Sequence, residues 1–146
     1  MSIEAANMSS VQIEAFLAEA RFAIVATNRR DGPPQQSPVW YLHQDGKIYV
    51  SVYRGSAKYR NLRRDPRINI CVAGTPPDAR AVMMSGKVEF HYHDTLANFE
   101  EIRWALVRRY YESDAEAEAY FKEEGEPEQS ALIVLQPERI LAQDHN

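Results

Sequence analysis

Apolar and polar residues alternate along Lys47–Tyr53 with the period of two that is typical of a β-strand with one buried face. The even positions are Ile48, Val50 and Val52, whereas the odd positions carry a lysine, two tyrosines and a serine. Gly55 follows directly and ends the alternation. This pattern predicts a strand whose apolar face meets the core.

A short helix is predicted next, from Ala57 to Arg64, with Ser56 as its N-cap. Pro66 ends it, because the residue before a proline is disfavoured in helical geometry. Free backbone N–H groups in a first helical turn attract anions. The polar residues gathered there are Arg54, Ser56, Lys58, Arg60 and Asn61. We interpret this segment as a phosphate-binding turn; a short solvated basic helix is the alternative that the pattern leaves open.

The same periodicities place the remaining elements. Further strands are predicted at residues 22–28, 36–42, 67–73, 81–91 and 131–135, with a short continuation at 139–142. Helices are predicted at about 10–20, 95–111 and 115–123. Asp45-Gly46 favours a tight hairpin, and Gly86 indicates a bulge or bend in a long strand. Six strands in hairpin order with few helices predict a mainly β fold, a six-stranded antiparallel barrel.

Composition narrows the class of protein. The chain has 146 residues, a net charge of −4 and one cysteine, Cys71. We therefore expect one domain over residues 1–146, without an intramolecular disulfide and without nucleic-acid or membrane partners. No segment has the apolar length of a membrane span or resembles a signal peptide, so a cytoplasmic location is the expectation.

Side-chain catalysis and metal binding have little support in the sequence. The chain has no Gly-x-Ser-x-Gly nucleophile motif, and no histidine is near Ser37 in sequence. His91 and His93 would share a strand face, but paired histidines on a strand are more often surface residues than ligands. No metal site is predicted, and no catalytic residue can be assigned.

Residues 31–40 are unusual because a polar pair leads into Ser-Pro-Val-Trp at the start of a strand. If this strand pairs with Lys47–Tyr53, Gln36 and Ser37 approach Ser51 and Tyr53. A polar wall would then stand beside the phosphate-binding turn. Ordinary solvent-facing residues on a strand are the alternative.

Several of these segments together resemble the split β-barrel oxidoreductases of the pyridoxamine-5′-phosphate-oxidase-like superfamily, in particular the branch that uses the deazaflavin coenzyme F420. The matching segments are Phe16–Thr27, Asp31–Gly32, Ser37–Trp40, Asp45–Gly46, Ile48–Ser51, Ala57–Arg67 and Gly86. The run Ala-Lys-x-Arg-Asn-Leu-x-x-Asp-Pro-Arg is fairly specific to the family. It says much less about which flavin is bound.

The resemblance implies a homodimer with cofactor sites at the subunit interface. It implies that Lys58 and Asn61 contact the cofactor phosphate. The cofactor-binding residues that we predict from the segment and the resemblance are Gln36, Ser37, Pro38, Val39, Ser51, Val52, Tyr53, Arg54, Ser56, Ala57, Lys58 and Asn61. Many relatives carry arginine where this chain has Ser56, and Arg54 is the candidate to supply that charge.

The activity implied is hydride transfer from a reduced deazaflavin to a conjugated small-molecule substrate. Two alternatives stay open: an FMN-binding oxidoreductase, pyridoxamine-phosphate oxidation included, and a non-catalytic protein that binds a flavin, haem or tetrapyrrole. F420 carries an acidic tail, which requires a longer basic groove than FMN does. Arg60, Arg63, Arg64 and Arg80 are the candidates for that groove.

Overall fold

The computed structural model describes residues 2–4 and 7–146. Residues 1, 5 and 6 of the expected domain lie outside the described part. The strands are β1 (Ser2–Glu4), β2 (Ala23–Thr27), β3 (Gln35–Val39), β4 (Leu42–Gln44), β5 (Lys47–Tyr53), β6 (Arg67–Ala73), β7 (Arg80–His91), β8 (Ser130–Leu135) and β9 (Arg139–Asp144). The α-helices are α1 (Ser10–Ala18), α2 (Ala57–Arg64), α3 (Phe99–Arg108) and α4 (Asp114–Glu123), with a 3₁₀ turn at Pro127–Gln129.

The strands form one curled sheet in the order β3-β2-β6-β7-β8-β5-β4. β9 adds to β7, and the short β1 runs parallel to β9. Every other strand pair is antiparallel. The expected mainly β, antiparallel split-barrel architecture is confirmed.

β7 joins the two halves of the barrel. Its first half, Arg80–Ser85, pairs with β9, and its second half, residues 88–91, pairs with β8 on the same edge. The change of partner occurs at Gly86, where an added Cβ would lie 2.9 Å from Leu135 Cδ1 and 3.3 Å from the Glu138 nitrogen. Glycine is required there because another strand approaches the backbone closely. The predicted bend at Gly86 is therefore the point at which the sheet curls.

The number of strands differs from the six that we predicted. The single strand expected at residues 36–42 is two strands, because Trp40 and Tyr41 leave the ladder between them. Tyr41 is fully buried, and its hydroxyl donates to the Leu17 carbonyl at 3.0 Å. β3 consequently pairs with β2, whereas β4 pairs with β5. The continuation at 139–142 is a separate strand, β9, and β1 was not predicted.

The barrel interior holds the main core, built from alternate residues of the strands and from α1. All six residues of β8 are buried, so both faces of this strand are covered. Ile133 belongs to the barrel core, whereas Leu132 packs with Phe99, Ile102 and Leu106 of α3 in a second cluster. The helices after β7 therefore cover the outer face of β8.

The local signals for turns and caps agree with the structure. Ser9 and Gln12 form a reciprocal capping box at the start of α1. Asp45 and Gly46 both adopt positive φ, at 53° and 74°, as a tight hairpin between two strands requires. α3 is shorter than the predicted helix at residues 95–111, because residues before Phe99 form turns.

We expect Gly86→Ala to lower the free energy of unfolding by about 1–3 kcal/mol, because the new methyl group meets Leu135 and the backbone at Glu138. Urea unfolding followed by tryptophan fluorescence measures the change. Lys87→Ala, at the exposed neighbouring position, is the matched control and should stay within about 0.5 kcal/mol of the parent protein. If the two variants are equally stable, the close approach of Leu135 and Glu138 to Gly86 does not affect the free energy of unfolding.

Candidate functional site

The first turn of α2 is capped as the sequence predicts. The Ser56 hydroxyl accepts a hydrogen bond from the Tyr59 N–H at 3.3 Å and donates to the Tyr53 carbonyl at 2.7 Å. Asp65 is the C-cap, directly before Pro66. The cap thereby fixes the helix to the end of β5. Ser56 already has both partners, so its local role is to hold the turn.

Most cations of this segment already have partners. The Arg60 guanidinium donates to the Gly55 carbonyl at 2.6 Å, and that of Arg64 donates to the Asn28 carbonyl. Arg54 lies over the ring of Tyr92, and Arg63 lies over the ring of Phe90. Within the part of the chain that the structure describes, the Lys58 ammonium makes no hydrogen bond or ion pair. Lys58 is therefore the cation that α2 leaves available for a ligand.

Asn61 faces the sheet rather than a cavity. Its side chain is buried, and its amide nitrogen donates to Thr27 Oγ1 at 3.2 Å and to Gln35 Oε1 at 3.1 Å. These bonds tie α2 to β2 and β3. Gln35 and Thr27 were missed in the sequence, because nothing local shows that a helix returns across those strands.

A cavity of about 260 Å³ opens beside the start of α2. Its lining residues are Phe22, Pro38, Val39, Trp40, Ser51, Val52, Tyr53, Lys58, Leu106, Tyr120 and Glu124. Six of the twelve predicted cofactor residues are in that list. β3 and β5 supply five of them, although the two strands are not paired, and α2 supplies Lys58. Curling of the sheet, rather than direct pairing, brings the strands to one cavity.

The other predicted residues lie around this cavity or elsewhere. Arg54, Ser56, Ala57 and Asn61 belong to the turn and helix behind it and do not line it. Ser37 is half-buried in β3 and is not a lining residue. Gln36 lines a different cavity, on the outer face of β2, β6, β7 and β9. The strand pairing on which the approach of Gln36 and Ser37 to Ser51 and Tyr53 depended is absent, because β3 pairs with β2 whereas β5 pairs with β4 and β8.

An aromatic stack supports one wall of the cavity. The Trp40 ring lies parallel to the Tyr110 ring with 4.5 Å between centroids, and the Tyr120 ring is 5.1 Å away. The Tyr110 hydroxyl also donates to the Arg21 carbonyl at 2.7 Å. The contacts of Trp40 with Tyr110, which follows α3, and with Tyr120 of α4 fasten both helices to the barrel here. Burial raises the pKa of Tyr120, and the nearby Glu124 charge adds to that rise.

Glu124 brings a carboxyl group to the same cavity. Arg103, which is 2% exposed, donates from Nη2 to Glu124 Oε2 at 3.1 Å and from Nη1 to Glu100. Burial raises the pKa of Glu124 above its ordinary value, against the lowering effect of the Arg103 charge. Nothing in the local pattern indicates that Arg103 turns this side chain inward.

Other site types have no support among the residues that the structure describes. No group of three or more histidine, cysteine or acidic side chains there could hold a metal ion. His91 is near Glu89, with 3.6 Å between Nε2 and Oε2. None of the described helices is long and apolar enough to cross a membrane.

Several solved structures share the architecture. A conserved hypothetical protein from Mycobacterium tuberculosis is 24% identical, with a TM-score of 0.80 over 100% of this chain and 91% of that chain. An F420 reductase is 23% identical, with a TM-score of 0.66 over 87% and 94% of the two chains. An FAD-binding protein from Mesorhizobium loti is 18% identical, with a TM-score of 0.64 over 91% and 92%. At these identities the likeness shows the fold alone.

Membership of a family rests on the sequence match. The model of the pyridoxamine 5′-phosphate oxidase family matches residues 10–144. That match includes β2 to β9 and all four α-helices, and therefore every residue that lines the cavity beside α2. The protein belongs to the pyridoxamine 5′-phosphate oxidase family.

Proposed function

We propose that residues 1–146 form one cofactor-binding domain that acts as an F420-dependent reductase, transferring hydride to a conjugated small molecule. The proposal rests on the Lys58 ammonium at the capped start of α2, which makes no hydrogen bond or ion pair within the described chain. It lies in the same cavity as Ser51 and Val52 of β5. The family match and the likeness to an F420 reductase support a flavin-type cofactor there.

The residues present fit a phosphorylated ring cofactor. Lys58 can donate three hydrogen bonds to a phosphate, and the first helical turn adds backbone N–H groups and the positive end of the dipole. Pro38, Val39 and Val52 give the cavity an apolar surface against which a ring can lie. The cofactor supplies the hydride chemistry, and the protein binds it, orients it and limits access of water. Asn61 acts in this proposal by holding α2 in place rather than by contacting phosphate.

FMN is the second candidate cofactor, because the matching family is that of pyridoxamine 5′-phosphate oxidase. The choice between F420 and FMN depends on the basic surface that lies beyond the phosphate-binding turn. Arg60, Arg63 and Arg64 lie exposed on α2 and are the candidates for the acidic tail of F420. Arg80 does not join them. It pairs with Asp78 at 2.7 Å, and it begins β7, about 20 Å along the strand from Lys87, which pairs with the first residue of the strand that follows α2.

We also propose that the chain acts as a homodimer. Ile24, Cys71, Met83 and Leu141 are in register across four strands and form an apolar row on the outer face of the sheet. This row lines the cavity on the outer face. Ile24 is 38% exposed in the single chain. Burying such a row against a second copy is a common solution for an unpartnered apolar sheet face.

Lys58→Ala should weaken cofactor binding about ten- to a hundredfold, because it removes a charge-assisted contact worth roughly 1.5–3 kcal/mol. Fluorescence titration with F420 and with FMN measures the dissociation constants. Stability should not change, since the Lys58 ammonium makes no hydrogen bond or ion pair in the described chain.

Two variants control this measurement. Lys122→Ala removes an exposed lysine from α4 and should leave cofactor affinity unchanged. Asn61→Ala should lower the free energy of unfolding by about 1–3 kcal/mol, because Gln35 loses its buried donor. Unchanged affinity of Lys58→Ala for both cofactors would rule out this cavity as the phosphate site.

If F420 is the cofactor, its affinity should exceed that of FMN and should fall more steeply with salt. The tail adds charge pairs with exposed arginines, and exposed pairs are screened at high ionic strength. Dissociation constants for both cofactors at about 0.05 M and 0.5 M salt decide the question. Tighter FMN binding, or a protein that purifies yellow with bound FMN, would favour the second candidate.

Ile24→Glu should convert the dimer to a monomer, because it places a charge at the centre of the apolar row. Light scattering at micromolar concentration measures the mass of the parent and the variant. Val11→Glu puts the same charge on an exposed apolar position of α1 and should stay dimeric. A parent protein that is monomeric under these conditions would contradict the dimer.

A further inference from the structure

Glu124 is the only carboxyl group that lines the cavity beside α2 within the described chain. It follows the last turn of α4 and shares the cavity with Ser51 and Lys58. No ion pair joins Glu124 to Lys58 among the described residues. A ligand in this cavity can therefore meet an ammonium group and a carboxyl group that do not neutralise each other.

Arg103 holds the Glu124 side chain in position. Its guanidinium is buried between the rings of Phe99 and Phe121, with centroid distances of 5.7 and 5.1 Å. One end of the guanidinium bonds to Glu124 and the other to Glu100. Among the described residues Arg103 Nε has no hydrogen-bond partner, so its burial costs desolvation free energy that no hydrogen bond offsets. The two carboxyl partners at Nη1 and Nη2 therefore fix the orientation of the guanidinium, and with it that of Glu124.

The surroundings of Glu124 favour its protonated form. Burial is the largest influence and raises the pKa, and the charge of Glu100 on α3 adds to the rise. Arg103 and the Tyr120 hydroxyl act in the opposite direction without cancelling the effect of burial. Lys58 on α2 is the other charged group that faces the cavity. A carboxyl group with a raised pKa keeps its proton to higher pH than an ordinary glutamate, which is what a general acid requires.

We propose that Glu124 is the proton donor that completes hydride transfer in this cavity, with Arg103 as its positioning residue. This inference rests on the proposed function. The observation behind it is that a buried arginine turns one carboxyl group into the cavity that holds Lys58 and Ser51.

The step balances for a conjugated carbonyl substrate. The β-carbon accepts hydride from the reduced cofactor, and the electron pair of the C=C bond moves toward the carbonyl, which leaves an enolate. The Glu124 O–H bond breaks, and its proton goes to the α-carbon of that enolate. The substrate gains two hydrogens and the cofactor is oxidised by two electrons. The Glu124 carboxylate, 21% exposed, then takes a proton from water.

The test compares the parent protein with Glu124→Gln and with Glu123→Gln, which removes the exposed neighbouring carboxylate. Carbon-13 NMR of protein labelled in glutamate carboxyls gives the pKa of Glu124, identified by the signal missing in Glu124→Gln. Fluorescence titration gives the affinity for F420. Oxidation of reduced F420 by 2-cyclohexen-1-one in the presence of the protein gives kcat across pH.

We expect the NMR pKa of Glu124 to exceed the ordinary glutamate value of about 4.3. Glu124→Gln should bind F420 like the parent but lose about a hundredfold in kcat. Because the donor must be protonated, kcat of the parent falls as pH rises through the pKa of Glu124, and this decline disappears in Glu124→Gln. Glu123→Gln should keep both the rate and the decline.

Three results would overturn the assignment. An ordinary pKa for Glu124, or an unchanged kcat in Glu124→Gln, removes its role while leaving cofactor binding intact. A parent protein that binds reduced F420 but does not reduce cyclohexenone also contradicts it, since a conjugated carbonyl is the acceptor that the donated proton requires. If the parent protein binds neither F420 nor FMN, the result contradicts the proposed function itself, on which the assignment of Glu124 rests.

Discussion

The bend of β7 at Gly86 is the constraint on which the architecture depends. A strand of 12 residues pairs with β6 along one edge and with β9 and then β8 along the other. The switch of partner needs a position without a side chain, because Leu135 and the backbone of Glu138 occupy that space. The Glu138 N–H donates to the Ser85 carbonyl at 2.9 Å and secures the crossing. Curling at this point closes the barrel and brings strands that are not paired to one cavity.

The packing of α2 on that curled sheet determines which of its positively charged side chains remain available to a ligand. Backbone carbonyls accept from Arg60 and Arg64, and aromatic rings underlie Arg54 and Arg63. These contacts hold the segment in its conformation, but they also occupy its positively charged side chains. Lys58 alone of this group, within the described chain, has no such partner. Local charge density in a sequence therefore overstates how many cations a ligand can engage.

The helices after β7 complete the cavity instead of extending the barrel. Their attachment is aromatic and polar at once: Tyr110 stacks on Trp40, and its hydroxyl bonds to a carbonyl of the segment before β2. Arg109 donates to the Tyr41 carbonyl and to the Glu19 carbonyl at the end of α1. These contacts fasten the wall to the barrel at several points. Attachment of this kind supports a defined orientation of Arg103 and Glu124 toward the cavity.

Signals that act within a few residues were readable from the sequence. The Ser56 cap and the Asp45-Gly46 turn each depend on neighbouring residues, and each is present. The resemblance gave the family, and the structure places half of the predicted cofactor residues in one cavity. Hydrophobic periodicity and the residue types found at turns are enough to predict such features, because neighbouring residues determine their free energy.

Contacts between distant segments were decided by the tertiary structure. Trp40 and Tyr41 interrupt a predicted strand because Tyr41 is drawn into the core and bonds to α1, 24 residues away. Asn61 turns toward Thr27 and Gln35, which a reading of its own helix cannot reveal. The inward orientation of Glu124 depends on Arg103, 21 positions earlier. Burial and long-range hydrogen bonds decide these roles, and neither is a property of the local sequence.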